Sequence, residues 1–267
     1  MDASRAAIIT SGEMDLFSII HHQDEQNALA ETVPSWALDP QIKYKHARVD
    51  SFPQSTYHAS KDLPVLKISQ LSSKILVAKG LFLDDIVEVG PLLPADTVVS
   101  WNALCHFARA GAVVAMCPHP PAASDFAFHT LSRTLVAGLT FSRQRVALPV
   151  PSGATSLLRD LQADSADKDL QLVELEYQHA LVVACYMRRL FRTRDGLVGL
   201  GPELSRVGDV VAIFYKSDWP VVLRPTAKGH HNHHHFVGNC YVDEMMDGEA
   251  STRFGEDPDR HRVFHLQ

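Results

Sequence analysis

The sequence predicts an α+β protein in three parts: an N-terminal coil with a β-hairpin, a helical middle, and a small C-terminal SH3-like β-barrel. Three observations carry this. Between residues 188 and 250, five short runs dense in β-branched and aromatic residues are separated by turn residues. Between residues 100 and 189, apolar residues recur at helical spacing. Further upstream, two apolar runs flank Gly80.

The five C-terminal runs are residues 188–193, 197–200, 209–215, 220–224 and 236–242. Turn residues stand between and after them at Asp195-Gly196, Gly201-Pro202, Gly208-Asp209, Asp218 and Asp247-Gly248. Strands this short and closely spaced suit a closed sheet. At the step into the third run, Gly208 is expected to take a positive φ, and Asp209 to bond the next backbone amide before an apolar strand turns inward.

Taken in order, residues 1–32 read as a poorly fixed leader. Pro34, Pro40, Pro53 and Pro64 then forbid long elements, because proline removes a donor and restricts its predecessor. An ordered coil anchored by Trp36 and Tyr57 is expected there. Residues 74–79 and 81–89, divided at Gly80, predict a hairpin whose second arm holds Asp84, Asp85 and Glu88 on a solvated edge. Helices are predicted over 100–116 from a Ser100 cap, after Ser124 with Phe128, Leu131, Leu135 and Leu139 on one stripe, around 157–161, and over 167–189. The expected organisation is therefore a leader (1–32), a hairpin plus helical region (33–187), a barrel (188–250) and a tail (251–267).

Composition excludes several classes. A 46% hydrophobic and 21% charged chain is that of a globular protein, not a disordered one. A net charge of -6 argues against a nucleic-acid footprint, which needs a basic surface. Arg188, Arg189, Arg192 and Arg194 are read as a solvated strand face, since they do not share one side of a strand. Four cysteines without a C-x-x-C pair suit reduced thiols and a cytoplasmic location. Neither a secretory signal nor a span of roughly twenty apolar residues is evident, so no membrane partner is assigned.

The run His230, His231, Asn232, His233, His234 and His235 offers imidazoles to zinc, nickel or copper. It is read as a loop with incidental metal affinity, and no cofactor is assigned. Residues 196–201 hold three glycines, but not in the order of a dinucleotide loop, and Pro202 follows them. A catalytic set would have to come from His106, His119 or His129 with Cys105, Asp125 or Asp84, and the alternative to a binding role is a hydrolase or metalloenzyme built from these. Trp219, beside Asp218 and Pro220 at a hairpin tip, is expected to be exposed and to mark a partner surface.

Several separate motifs then occur in one order: GLVGLGP at 196–202, VGDVV at 207–211, PVVLRP at 220–225, FVGNCYV at 236–242 and MDGEA at 246–250. Upstream stand VPSW at 33–36, YHAS at 57–60 and KILVAKGLFLDDIVEVG at 74–90. This order resembles the C-terminal region of fungal heterokaryon incompatibility (HET domain) proteins. The resemblance marks Gly199, Gly201, Pro202, Gly208, Asp209, Arg224, Pro225, Gly238, Cys240, Tyr241, Asp247 and Gly248 as structural motif residues. It implies a non-catalytic partner-binding or regulatory scaffold in self/nonself recognition, with a protein partner. Proteins of that family carry the HET domain before the PSW segment. Residues 1–32 are too few to hold it, so the HET domain and its activity, linked to cell death, are expected to be absent.

Overall fold

The structure, a computed structural model, describes residues 34–37, 57–64, 69–70, 74–93, 107, 110, 125–140, 142, 144–146, 175–226 and 232–267, with backbone alone at 69–70, 125–128, 175–176 and 178. The elements in chain order are β1 (Ser69–Gln70), β2 (Leu76–Leu92), α1 (Asp125–Leu135), α2 (Leu175–Cys185), β3 (Arg188–Thr193), β4 (Val198–Pro202), β5 (Val210–Phe214), β6 (Pro220–Pro225), β7 (His233–Asn239), β8 (Tyr241–Val242), α3 (Glu249–Phe254), a 3-10 turn (Pro258–Arg260) and β9 (His261–Leu266). The predicted leader and the 157–161 helix lie outside the described residues. Of the predicted helix over 100–116, only Phe107 and Ala110 are described, both helical.

The hairpin expected around Gly80 is instead one strand of 17 residues, β2. It needs no returning arm because three distant strands pair with it in succession. These are β9 along residues 76–81, β5 along 80–85 and β3 along 86–92. Gly80 sits where the pairing passes from β9 to β5. A Cβ there would stand 2.5 Å from the Ile213 carbonyl oxygen, so this glycine marks a close backbone approach rather than a turn.

Following the hydrogen-bonded neighbours gives a closed ring of five strands: β2, β5, β6, β7, β9 and back to β2. Its pairs are antiparallel except β7 with β9. The upper half of β2 carries a second, open sheet of β3, β4 and β8. The barrel is thus not the set of strands predicted between 188 and 242, since β3 and β4 lie outside the ring and β2 and β9 complete it. Residues 251–267, read as a tail, form most of α3, the 3-10 turn and the strand β9 that closes the ring.

Strand alternation divides the apolar side chains among three cores. Leu76, Ala78, Val210, Ala212, Phe214, Val221, Leu223, Phe236, Phe264 and Leu266 fill the ring, with Trp36 packed among them. The opposite faces of the same strands, through Leu81, Leu83, Val211, Ile213 and Val222, meet Phe191 and Val242 of the open sheet. The other face of that sheet, through Leu190, Leu200 and Tyr241, packs on Leu131 and Leu135 of α1 and Leu181 and Cys185 of α2. β5 and β4 are buried on both faces for this reason.

Several boundaries differ from expectation. Gly201 and Pro202 end β4, and the turn follows at Glu203-Leu204. α2 ends at Cys185, short of Arg189, because Met187 takes φ 55° and sends the chain into β3. α1 ends at Leu135. The positive φ of Ala137 and Gly138 moves Leu139 off the helix into a bridge with Arg145, although Leu139 remains buried.

The predicted solvated charges are engaged. Arg192 pairs with Glu88 at 2.8 Å and Arg194 with Asp85 at 3.1 Å, across the β2–β3 pair and its turn. Asp84 is buried and accepts the amides of Asp85 at 2.8 Å and Asp195 at 2.5 Å. Arg189 donates to the carbonyls of Glu203 and Gly90. Arg188 is buried and donates to Leu200 O and to both oxygens of Asn239, and burial pushes its pKa down to about 10.

The step before β5 joins ring and loop. Gly208 has φ 90°, its amide donates to Ile86 O at 2.9 Å, and Asp209 O accepts from Ile86 N at 2.8 Å. The Asp209 carboxylate accepts not from the next amide but from that of Arg206, three residues back. It also takes a two-pronged ion pair from Arg224 on β6, at 2.9 and 3.0 Å, with both side chains almost fully buried. Burial raises the Asp209 pKa, and the bonds from Arg224 oppose that rise. Turn chemistry alone puts Asp209→Ala at roughly 1 kcal/mol, but the buried partner changes the outcome. Asp209→Ala is expected to lower stability by about 3–5 kcal/mol by stranding the Arg224 guanidinium. Arg224→Met in the same chain should recover most of that loss, as read by urea denaturation. Gly208→Val, with open space around it but a left-handed backbone, is expected to lose about 1–3 kcal/mol in the same assay.

Candidate interaction face

The motif segments converge where the barrel meets the helices. The 57–63 coil is stitched to two loops: His58 N donates to Met246 O at 2.9 Å, Ala59 N to Asp218 O at 3.3 Å and Ser60 N to Ser217 O at 3.1 Å. These bonds hold Tyr57 face to edge against Trp219, ring centroids 4.9 Å apart, and near Tyr241 at 6.1 Å. Trp219 is therefore only 7% exposed and is not a surface marker. A chain segment from far upstream covers the hairpin tip on which it sits.

Polar tips of this aromatic floor are all engaged. Tyr57 Oη donates to Ala137 O, and Tyr241 Oη donates to Asp243 Oδ1 at 2.9 Å. Asp243 also accepts Arg133 Nε at 2.9 Å and Nη2 at 2.5 Å. Burial raises the pKa of both tyrosines, so neither phenol serves as a base near neutrality. The bond to Asp243 holds Arg133 above its ordinary pKa. Gly138, at φ 67°, passes between the two hydroxyls, and a Cβ there would lie 3.0 Å from each.

Above this floor is a charged rim. Arg145 stacks 4.1 Å over the Tyr57 ring and makes a two-pronged ion pair with Asp247. His58, exposed, bonds Asp218 at 3.1 Å, and Glu244, also exposed, lies 3.3 Å from Arg133. Lys61 is exposed beside Gly248, where φ is 92° and a Cβ would stand only 2.9 Å from Lys61 Cβ, so the lack of a side chain lets the coil pass. The rim thus sets side chains of both charge signs above the aromatic floor.

The other predicted residues are dispersed through the fold. A Cβ on Gly199 would strike Phe191 at 2.3 Å and Tyr241 O at 2.6 Å, and one on Gly201 would strike Ser205 Oγ at 2.7 Å. Gly238 pairs with Val222 beside the β6–β7 bulge, and Pro225 pairs with His234. Cys240 is a buried free thiol whose amide donates to Pro220 O. Cys105, His106, His119, His230 and His231 lie outside the described residues, as does the Asp125 side chain. His129 stands on α1, half-buried, whereas Asp84 is bonded into the turn after β3. The histidine run is not a loop throughout: His233, His234 and His235 open β7, and His234 is buried against Phe264. Among the described residues, no three histidine, cysteine or carboxylate side chains form a metal-binding group, and no helix is long and apolar enough to cross a membrane.

Asp243, Arg133, Arg145 and His265 were not singled out from sequence. Asp243 had a signal, since it follows the CYV motif directly. The two arginines had none, being placed by contacts about a hundred residues away in the chain.

With this geometry in place, comparison with known proteins is direct. Residues 160–264 match the family model described as the Het-6 beta-barrel domain. A stretch of 71 residues is 39% identical to heterokaryon incompatibility protein 6, OR allele, of Neurospora crassa, covering 26% of this chain and 10% of that protein. No solved structure matches the chain significantly. β2 lies upstream of the residues matched by the family model, yet it closes the barrel.

Two buried thiols carry a pH signature. Burial raises the pKa of Cys185 and Cys240 far above the ordinary 9.0. In the unfolded chain they ionise from about pH 9 upward, while in the fold they stay protonated. Their contribution is therefore fully present below pH 9 and is lost as pH rises above it, by up to about 1.4 kcal/mol per pH unit per thiol. Replacing both with alanine should flatten the decline between pH 8.5 and 10.5, measured against the parent by thermal unfolding.

Proposed function

We propose that this chain is a non-catalytic partner-binding or regulatory scaffold of fungal self/nonself recognition, acting in the cytoplasm through a protein partner. The observation that carries the reading is the platform between barrel and helices. The YHAS coil, Trp219, Tyr241, Asp243 and Gly248 build it, and above them stands the charged rim of His58, Lys61, Arg145, Glu244 and Asp247. An aromatic platform under a rim of both charge signs suits a binding module. The HET-like region, and a relative named for heterokaryon incompatibility, support the biological setting. Free, buried cysteines are consistent with a reducing compartment. A closed ring of five strands, antiparallel except for one pair, supports an SH3-like barrel type.

Expression of the chain in Neurospora crassa tests the reading, with strain pairings scored for the incompatibility reaction. The intact chain is expected to alter the outcome of at least one incompatible pairing. His58→Glu with Lys61→Glu, which reverses rim charge without touching the floor, is expected to abolish that effect at an unchanged melting temperature. Pairings indifferent to the intact chain, or a variant as effective as the parent, would overturn it.

A further inference from the structure

The seam between β7 and β9 brings together two histidines that sequence separates. Their parallel register sets His233 beside His265 and His234 beside Leu266. Alternation then buries His234 and Leu266 and leaves His233 and His265 half-buried on the outer side of the barrel. The two rings stand nearly perpendicular, at 80°, with centroids 4.9 Å apart.

One placement of the protons satisfies both bonds around this pair. His233 Nδ1 lies 3.3 Å from Gln267 Oε1, which accepts, so Nδ1 carries the hydrogen and Nε2 presents a lone pair. That lone pair faces His265 Nδ1 at 3.2 Å, which must therefore donate. Two imidazole nitrogens bound to one tetrahedral ion at about 2.0–2.1 Å stand about 3.3 Å apart. The pair is thus already spaced as two ligands of one ion, with a single proton between them. The Gln267 amide occupies the outer position that orients a ligating imidazole.

We propose that His233 Nε2 and His265 Nδ1 form a two-histidine chelate for a borderline transition-metal ion, Zn(II), Ni(II) or Cu(II), which replaces the shared proton and fastens β9 to β7. As the ion binds, the hydrogen on His265 Nδ1 is exchanged through solvent to Nε2 of the same ring, so both ligating imidazoles stay neutral. Among the described residues no third ligand completes the set, so water or a partner's side chain fills the remaining positions. The site differs from the histidine run as read from sequence, because one of its two ligands comes from the far end of the chain. The β7–β9 ladder is only two residue pairs long, so an ion bridging it selectively favours the folded chain.

Titration of the full chain with zinc chloride, nickel chloride or copper sulfate tests this by calorimetry and thermal unfolding. One ion per chain is expected to raise the melting temperature. His265→Ala and His265→Gln, both of which keep residues 230–235 intact, are expected to weaken binding at least tenfold and remove the rise. His265→Gln retains an amide that can donate to His233, which preserves the seam should the alanine variant fold poorly. Unchanged affinity in the His265→Gln variant, or an intact chain whose melting temperature ignores all three ions, would overturn the proposal. Electron paramagnetic resonance of the Cu(II)-loaded intact chain adds a readout independent of any variant, and a spectrum without imidazole nitrogen coupling would also overturn it.

Discussion

The pairing of β2 with three strands at once is the constraint on which the rest of the molecule depends. A strand of 17 residues can serve β9, β5 and β3 in turn only if it bends and if its backbone approaches β5 closely at the change of partner. Gly80 supplies the approach, and the register shift between Phe82 and Asp84 supplies the bend. Because β2 belongs to both sheets, the barrel and the open sheet share one wall, and their side chains form a common second core. The helices rest on the far face of that shared structure. The 57–63 coil locks the corner where all three layers meet.

Three of the five barrel strands, β5, β6 and β7, were legible because they are short and bounded by residues with local reasons to turn. Gly196, Gly208 and Gly248 each take a positive φ, and the apolar runs between such points become strands nearly where expected. β2 was misread because a glycine between two apolar runs has two physical meanings, a turn or a close approach. Only the carbonyl of Ile213, more than a hundred residues away, decides between them. β9 was missed for a related reason. The HRVFHL run alternates weakly, and its value lies in partners on β2 and β7 that composition does not reveal.

The interaction face was partly legible. Tyr57 reads as an anchor from the sequence, but the exposure of Trp219 could not be judged locally, since the segment that covers it lies about 160 residues earlier in the chain. Several charges have partners that spacing did not foresee, although Arg194 stays exposed as expected. Read singly, Glu88, Asp85, Arg192 and Arg194 look solvated, because spacing along a strand says nothing of the neighbouring strand. In the fold they face each other across the β2–β3 pair, and Asp209 and Arg224 do so inside the core.

The position of β2 also bears on how such a module can be inherited or cut. A fragment holding only the residues matched by the barrel family would keep β5, β6, β7 and the first four residues of β9, but lose β2, the strand that joins β5 to β9. Two bare edges would open, lined by β5 residues that are wholly buried in the intact chain. Unpaired edges of that kind recruit other chains. The upstream segment therefore acts as a built-in edge cover for the barrel.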